Sequence, residues 1–176
     1  MPSPTVSIRS ERPSDYERVR AIHEAAFGRP HEARLVDQLR AAASPMLSLV
    51  AEIATHVVGH GFFSPVTIEP SRACLSAGGL APVAVDPSHQ AAGIGSALIR
   101  LGLEQCPHLG WQAIFLVGDP AYYSRFGFVL AAPMGFTYGD PFFDRALQVV
   151  ELSAGAVRGC HGRVCFHPAF AATGTG

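Results

Sequence analysis

"DPSHQAAGIGSALIRLG", residues 86–102, decides how this sequence is read. Gly93 and Gly95 flank Ile94, and from there Ile94, Leu98 and Leu101 fall on one face of a helix running to about Cys106. Glycines just before a helix let the backbone approach a ligand, and the unpaired amides and dipole of a helix start attract anions. A glycine-assisted turn into a core helix would carry the same letters. The flanking sequence separates the two readings.

Upstream, Thr5–Arg9 reads as a short first strand, and "PSDYERV" offers a capping box in which Ser14 and Glu17 satisfy each other's amides. Tyr16, Val19, Ile22 and Ala26 keep helical spacing to about Phe27. "FGRPH" interrupts that helix, and Leu35, Leu39 and Ala42 mark a second. From Met46 the texture turns to strand. "LSLVAEI" and "VVGHGFFSPVTI" form a pair joined near Ala54–His56, and a third strand spans about Leu75 to Val85. That third strand contains Pro82, which removes a ladder donor and predicts a bulge or an unpaired stretch there.

Downstream, "QAIFLVG" is an uninterrupted apolar strand, buried on both faces if the sheet is covered there. "DPAYYSRFGF" starts a short helix at Pro120 and stops it at Gly127, and Ala146–Leu152 is a further strand. Residues 155–176 stay unassigned. The order β-αα-βββ-α-β-α-β is mixed α/β, or α+β in the looser sense.

The chain has 176 residues, 13 Lys+Arg against 14 Asp+Glu, and a formal net charge of −1, which gives no footprint for duplex nucleic acid. Every one of those basic residues is arginine, so a phosphate-loop lysine and a Schiff-base lysine are excluded. Cys74, Cys106, Cys160 and Cys165 show no CxxC pair, and "CHGRVC" is poorly spaced for zinc, so no metal is expected. No apolar run approaches the ~20 residues of a membrane span and the N-terminus lacks an apolar signal core. A cytoplasmic protein with no membrane partner is the expectation.

A dinucleotide fold requires a third glycine, where this chain has Leu98, and places its loop in the first βα turn. What remains is Q-x-x-G-x-G, Gln90–Gly95, between "VAVDP" and an amphipathic helix, followed after the next strand by "YYSRFGF" at residues 122–128. Together, "LAPVAVDPSHQAAGIGSALI" and "YYSRFGF" resemble the GNAT superfamily of acyl-coenzyme A-dependent N-acetyltransferases. "GDPAYYSRFGF" and the tail "GRVCFHPAF" are similar to its YhbS-like branch of predicted acetyltransferases. The resemblance runs from the first strand to about Leu152.

The resemblance implies a single N-acetyltransferase domain over 1–176, with 155–176 as a C-terminal extension. It implies a GNAT-like, mainly antiparallel central sheet flanked by helices and splayed at an acetyl-CoA slot. The pyrophosphate of acetyl-CoA, the acyl donor, would be cradled by Gln90, Ala91, Ala92, Gly93, Ile94, Gly95 and Ser96. Val83, Ala84 and Val85 would pair with its pantetheine arm, and the amide near Val83 would face the oxyanion. Tyr123 matches the family tyrosine that protonates the departing thiolate. Tyr122, Phe126 and Phe128 are read as packing around the slot, and Arg125 as a solvated helix charge in preference to an adenosine-side contact. This chain has Ala91-Ala92 where many members carry a glycine or a basic residue, which predicts weaker or more salt-insensitive donor binding. It also has Gly118-Asp119 where an asparagine is common, with Asp119 read as a helix cap.

The implied reaction is direct acetyl transfer to a primary amine in a ternary complex. The acceptor is a small molecule or a peptide amine, and the superfamily admits a homodimer. The alternative is a sensor of the same fold that binds acyl-CoA without turnover. Glu52, His60, Glu69, Glu24 and Glu32 all qualify as a general base, and none stands out. Phe27–Glu32 and Phe62–Ser64 are the expected acceptor wall.

Overall fold

The computed structural model describes residues 5–70 and 74–172. In chain order the elements are β1 (Val6–Ser10), α1 (Tyr16–Phe27), α2 (His31–Ala42), β2 (Leu47–Ile53), β3 (His56–Glu69) and β4 (Ala77–Val85). These are followed by α3 (Ile94–Gln105), β5 (Ala113–Val117), α4 (Pro120–Tyr123), β6 (Val129–Leu130) and β7 (Phe136–Thr137). The last elements are α5 (Pro141–Asp144), β8 (Leu147–Glu151), β9 (Gly162–Cys165) and α6 (Ala169–Ala172). The expected order holds, with three further short strands and two four-residue helices added.

The main sheet runs β1-β2-β3-β4-β5-β8-β6, and every pairing along it is antiparallel except β4 with β5. Strand alternation sorts side chains to two faces. Val50, Phe62 and Ala84 meet Val19, Ile22 and Leu39 of α1 and α2. Leu49, Ala51 and Val58 meet Ile94 and Leu98 of α3. One residue on, Phe63 joins Ile99, Ile114 and Leu116 on the α3 side, where Gly102 makes room: a Cβ there would come within 2.2 Å of Phe63 Cζ. The fold is therefore a mixed α/β sheet with helices on both faces.

Two local features differ from the sequence reading. Ser14 and Glu17 form no capping box. Instead Asp15 reaches back, its carboxylate accepting from the Arg12 amide (2.7 Å) and from Arg9 (2.7 and 2.9 Å). The unassigned tail is built into the structure, because β9 pairs antiparallel with Thr67–Glu69 and parallel with β7.

The splay follows from Pro82. The β3–β4 register steps from Gly61↔Val83 to Phe63↔Leu80, so Ala81 and Pro82 bulge opposite Phe62. On the other side, β4 pairs β5 only through Ala77–Gly79. From Leu80 to Val85 that edge of β4 has no strand partner among the described residues.

Candidate functional site

A cavity of about 500 Å³ opens where β4 parts from β5. Its floor is Val83, Ala84 and Val85, and one wall is His89, Gln90, Ala91 and Gly93. Ile94, Gly95, Ser96 and Ile99 follow from α3, and Tyr122, Tyr123 and Arg125 stand opposite. All the residues singled out for the donor are brought together here except Ala92, which does not reach the cavity.

The loop is held by its own side chains. Asp86 accepts from the Ser88 amide (2.9 Å) and hydroxyl (2.5 Å), and Arg18 pairs with its other oxygen. Gln90 turns inward, Nε2 donating to the Val85 carbonyl at 3.0 Å, so its side chain fixes the loop. Gly93 caps α3 at φ +80°, and Ala91 adopts φ +60° without being glycine. The first helical bond is Ala97 N–H to Gly93 O (3.0 Å), which leaves the amides of Ile94, Gly95 and Ser96 without helical partners. Arg125 is the exposed helix charge read from the sequence, and it also borders the cavity. Its guanidinium lies 4.5 Å from the Tyr122 ring centre.

Tyr123 is half-buried, edge-on to Tyr122 (5.0 Å, 88°) and Phe128 (5.9 Å, 76°). Burial, aided by Tyr122, pushes its phenol up to about 12. Gly118 explains the missing asparagine, since a Cβ there would come within 2.4 Å of Tyr123 Cε2. Gly118→Ala is therefore expected to displace the ring and lower kcat roughly ten-fold or more. Steady-state rates beside a thermal midpoint would check this, and an unchanged kcat would refute it. Asp119 is the helix cap expected, accepting from the Ala121 amide at 2.9 Å.

A second cavity of about 440 Å³ adjoins the first, and Val83 and Tyr123 line both. Phe27, Arg29, His31 and Glu32 lie on its wall, as anticipated for the acceptor side. Phe62, Phe63 and Ser64 do not, because both faces of β3 are covered there and all three are buried. Tyr138, Phe143, Phe166 and Phe170 complete the wall, and no shared periodicity in the sequence pointed to them.

Of the five base candidates only Glu32 borders this cavity. Burial works against its charge, but the Arg29 guanidinium at 2.7 Å outweighs it and holds the carboxyl below the ordinary range. Glu52 is tied to Arg9, Glu69 to Arg163, and Glu24 is exposed. His60 is fully buried between His23 (2.8 Å) and Ser48 (2.9 Å), and burial holds it well below the usual imidazole value.

Residues 7–131 match the family described as "Acetyltransferase (GNAT) domain". The chain is 37% identical over 164 residues to the uncharacterized N-acetyltransferase YhbS of Escherichia coli K12, covering 93% of this chain and 97% of that protein. It superposes on the crystal structure of E. coli YhbS in complex with CoA with a TM-score of 0.89 at 35% identity, covering 97% of this chain and 94% of that one. A GNAT acetyltransferase from Brucella melitensis in complex with acetyl-CoA gives 0.76 at 37% identity, covering 96% and 99%.

Proposed function

The chain belongs to the GNAT acetyltransferase family and is an acyltransferase, and from that premise we propose that it moves an acetyl group directly from acetyl-CoA to a primary amine. The observation that carries this reading is the meeting of two cavities at Val83 and Tyr123. One is shaped for a long anionic donor. The other is lined for an acceptor.

Acetyl-CoA supplies a thioester-activated acetyl group. The residues present fit such a donor: an unpaired strand edge for the pantetheine amides, and free helix-start amides with Arg125 for the pyrophosphate. Val83 offers backbone donors where negative charge develops on the reacting carbonyl oxygen. Tyr123 keeps its proton throughout the physiological range and donates it toward the departing sulfur. Glu32 stays ionised beside Arg29, which suits it to hold an ammonium and makes it a poor acceptor of the proton. The amine therefore deprotonates to water, and kcat/KM rises with pH up to the amine's own pKa. We read 1–176 as one acetyltransferase domain in which Phe166 and Phe170, beyond β9, help close the acceptor side.

Calorimetric titration with acetyl-CoA, beside amine-dependent release of free thiol, tests this. The loop alone predicts salt-insensitive binding; with Arg125 at the cavity adding a screened cation, binding is expected instead to weaken with salt. Binding without thiol release across primary amines would identify a sensor instead.

A further inference from the structure

We infer that the acceptor is a small primary monoamine with an apolar, ring-sized body, seated in the second cavity against its aromatic wall. This rests on the acetyltransferase reading above. The wall is continuous: ring centres lie 5.0 Å apart for Tyr138–Phe143, 5.8 Å for Tyr138–Phe166 and 5.5 Å for Phe166–Phe170. Phe27, Leu35 and Pro82 face them from the other elements. All four rings of the wall come after residue 131, where the family match ends, whereas the donor residues lie within it. The second cavity thus joins residues inside that match, Phe27 to Leu35 among them, to an aromatic wall from the C-terminal part of this chain.

The charges choose among amines. Glu32 is the acidic residue on this wall, and its side chain is 10% exposed against 59% for its partner Arg29. The cation sits at the rim and the carboxylate inside, so the cavity presents one anionic group to one ammonium. With Arg29 beside it the wall carries no net negative field, and a polyamine or basic peptide gains nothing further. A free amino acid would bring a carboxylate against phenylalanine rings and beside Glu32, with the Arg29 guanidinium at the rim and already paired, a costly desolvation. At about 440 Å³ the cavity is of small-molecule size, where apolar walls supply affinity and a few polar groups fix orientation.

The test is a homologous series of n-alkylamines from propyl to hexyl, with 2-phenylethylamine, spermidine, phenylalanine and a lysine peptide alongside. Each methylene buried against the wall should raise kcat/KM about four-fold, the factor equivalent to ~0.8 kcal/mol per CH₂. 2-Phenylethylamine should exceed spermidine, phenylalanine and the peptide by at least about ten-fold. Phe143→Ala should flatten the chain-length dependence, and Phe27→Ala, at an exposed helix end, should do the same if the first variant folds poorly. A flat series, or a preference for spermidine, phenylalanine or the peptide, overturns the inference while leaving acetyl transfer standing. Should no amine turn over, 2-phenylethylamine is titrated into CoA-saturated protein. Binding weakened by Phe143→Ala then supports the ligand class although the transferase reading has failed. No binding overturns the ligand class as well.

Discussion

Tyr123→Phe is expected to lower kcat for acetyl transfer about a hundred-fold, the lower end of what a positioned proton donor contributes. The substitution removes one oxygen and keeps the ring. Its packing against Tyr122, Phe126 and Phe128 stays in place (centroids at 5.0, 6.3 and 5.9 Å). The hydroxyl bonds to no group among the described residues, so stability should change by less than about 0.5 kcal/mol. Acetyl-CoA affinity should hold for the same reason, and the loss should appear in kcat. With the phenol at about 12 and an ordinary thiol near ~8.5, full proton transfer in water is uphill, so Tyr123 acts first as a hydrogen-bond donor to growing charge on sulfur. The pH profile should accordingly show no falling limb from the tyrosine below about pH 11. Tyr122→Phe is the contrast, because the Tyr122 hydroxyl lies 3.4 Å from Ser96 Oγ and its loss should cost only a few-fold. A Tyr123→Phe enzyme within three-fold of the parent would remove Tyr123 from the reaction.

Most of the first cavity's lining was legible in the sequence because its features are local. A helix start needs amides and glycines within a few residues, and Pro82 signals a bulge wherever it interrupts a strand. The Gln90–Ser96 loop and Tyr123 fall together because α3 and α4 each begin just beyond the strand that places them. Of the second cavity's wall, only the stretch from Phe27 to Glu32 was legible. Tyr138, Phe143, Phe166 and Phe170 come from a loop, a four-residue helix and the chain after β9, and only tertiary packing brings them together. The assignment of Phe62–Ser64 to that wall failed because β3 is covered on both sides, Phe62 by α1 and α2 and Phe63 by α3. Gly118 looked like the loss of an asparagine, and its role as space for the Tyr123 ring needed coordinates. The pairing of His23 with His60, 37 residues apart, leaves no mark on the sequence.

That histidine pair leads to the second large effect: stability should fall by about 2 kcal/mol between pH 7 and 5 and about 3 kcal/mol by pH 4 from His23 alone. The hydrogen-bond order fixes the neutral tautomers. Ser48 donates its hydroxyl proton to Glu11 (2.8 Å), so its oxygen accepts from His60 Nε2 (2.9 Å). His60 Nδ1 is then an acceptor and takes the proton of His23 Nε2 (2.8 Å). His23 Nδ1 is left a bare, buried acceptor with no partner among the described residues. A proton added to His60 Nδ1 would face the His23 donor. Added to His23 Nδ1, it would bury a charge in an apolar site. Burial accordingly lowers His23 to about 4, with Glu32 opposing the effect and Arg40 adding to it, and burial, His23 and Arg40 hold His60 well below the usual imidazole value. Because the folded values lie below the unfolded one, the unfolded chain binds more protons, and the contribution present above about pH 6.5 is lost as pH falls toward the folded value. The salt-bridged carboxylate Asp15 is also depressed, by Arg9, but its contribution is lost only below its unfolded value near ~4. Two acid limbs should therefore appear in urea titrations, the histidine limb first. His23→Leu combined with His60→Met should erase the first and keep the second, and a parent protein equally stable at pH 7 and 5 would refute the buried neutral pair.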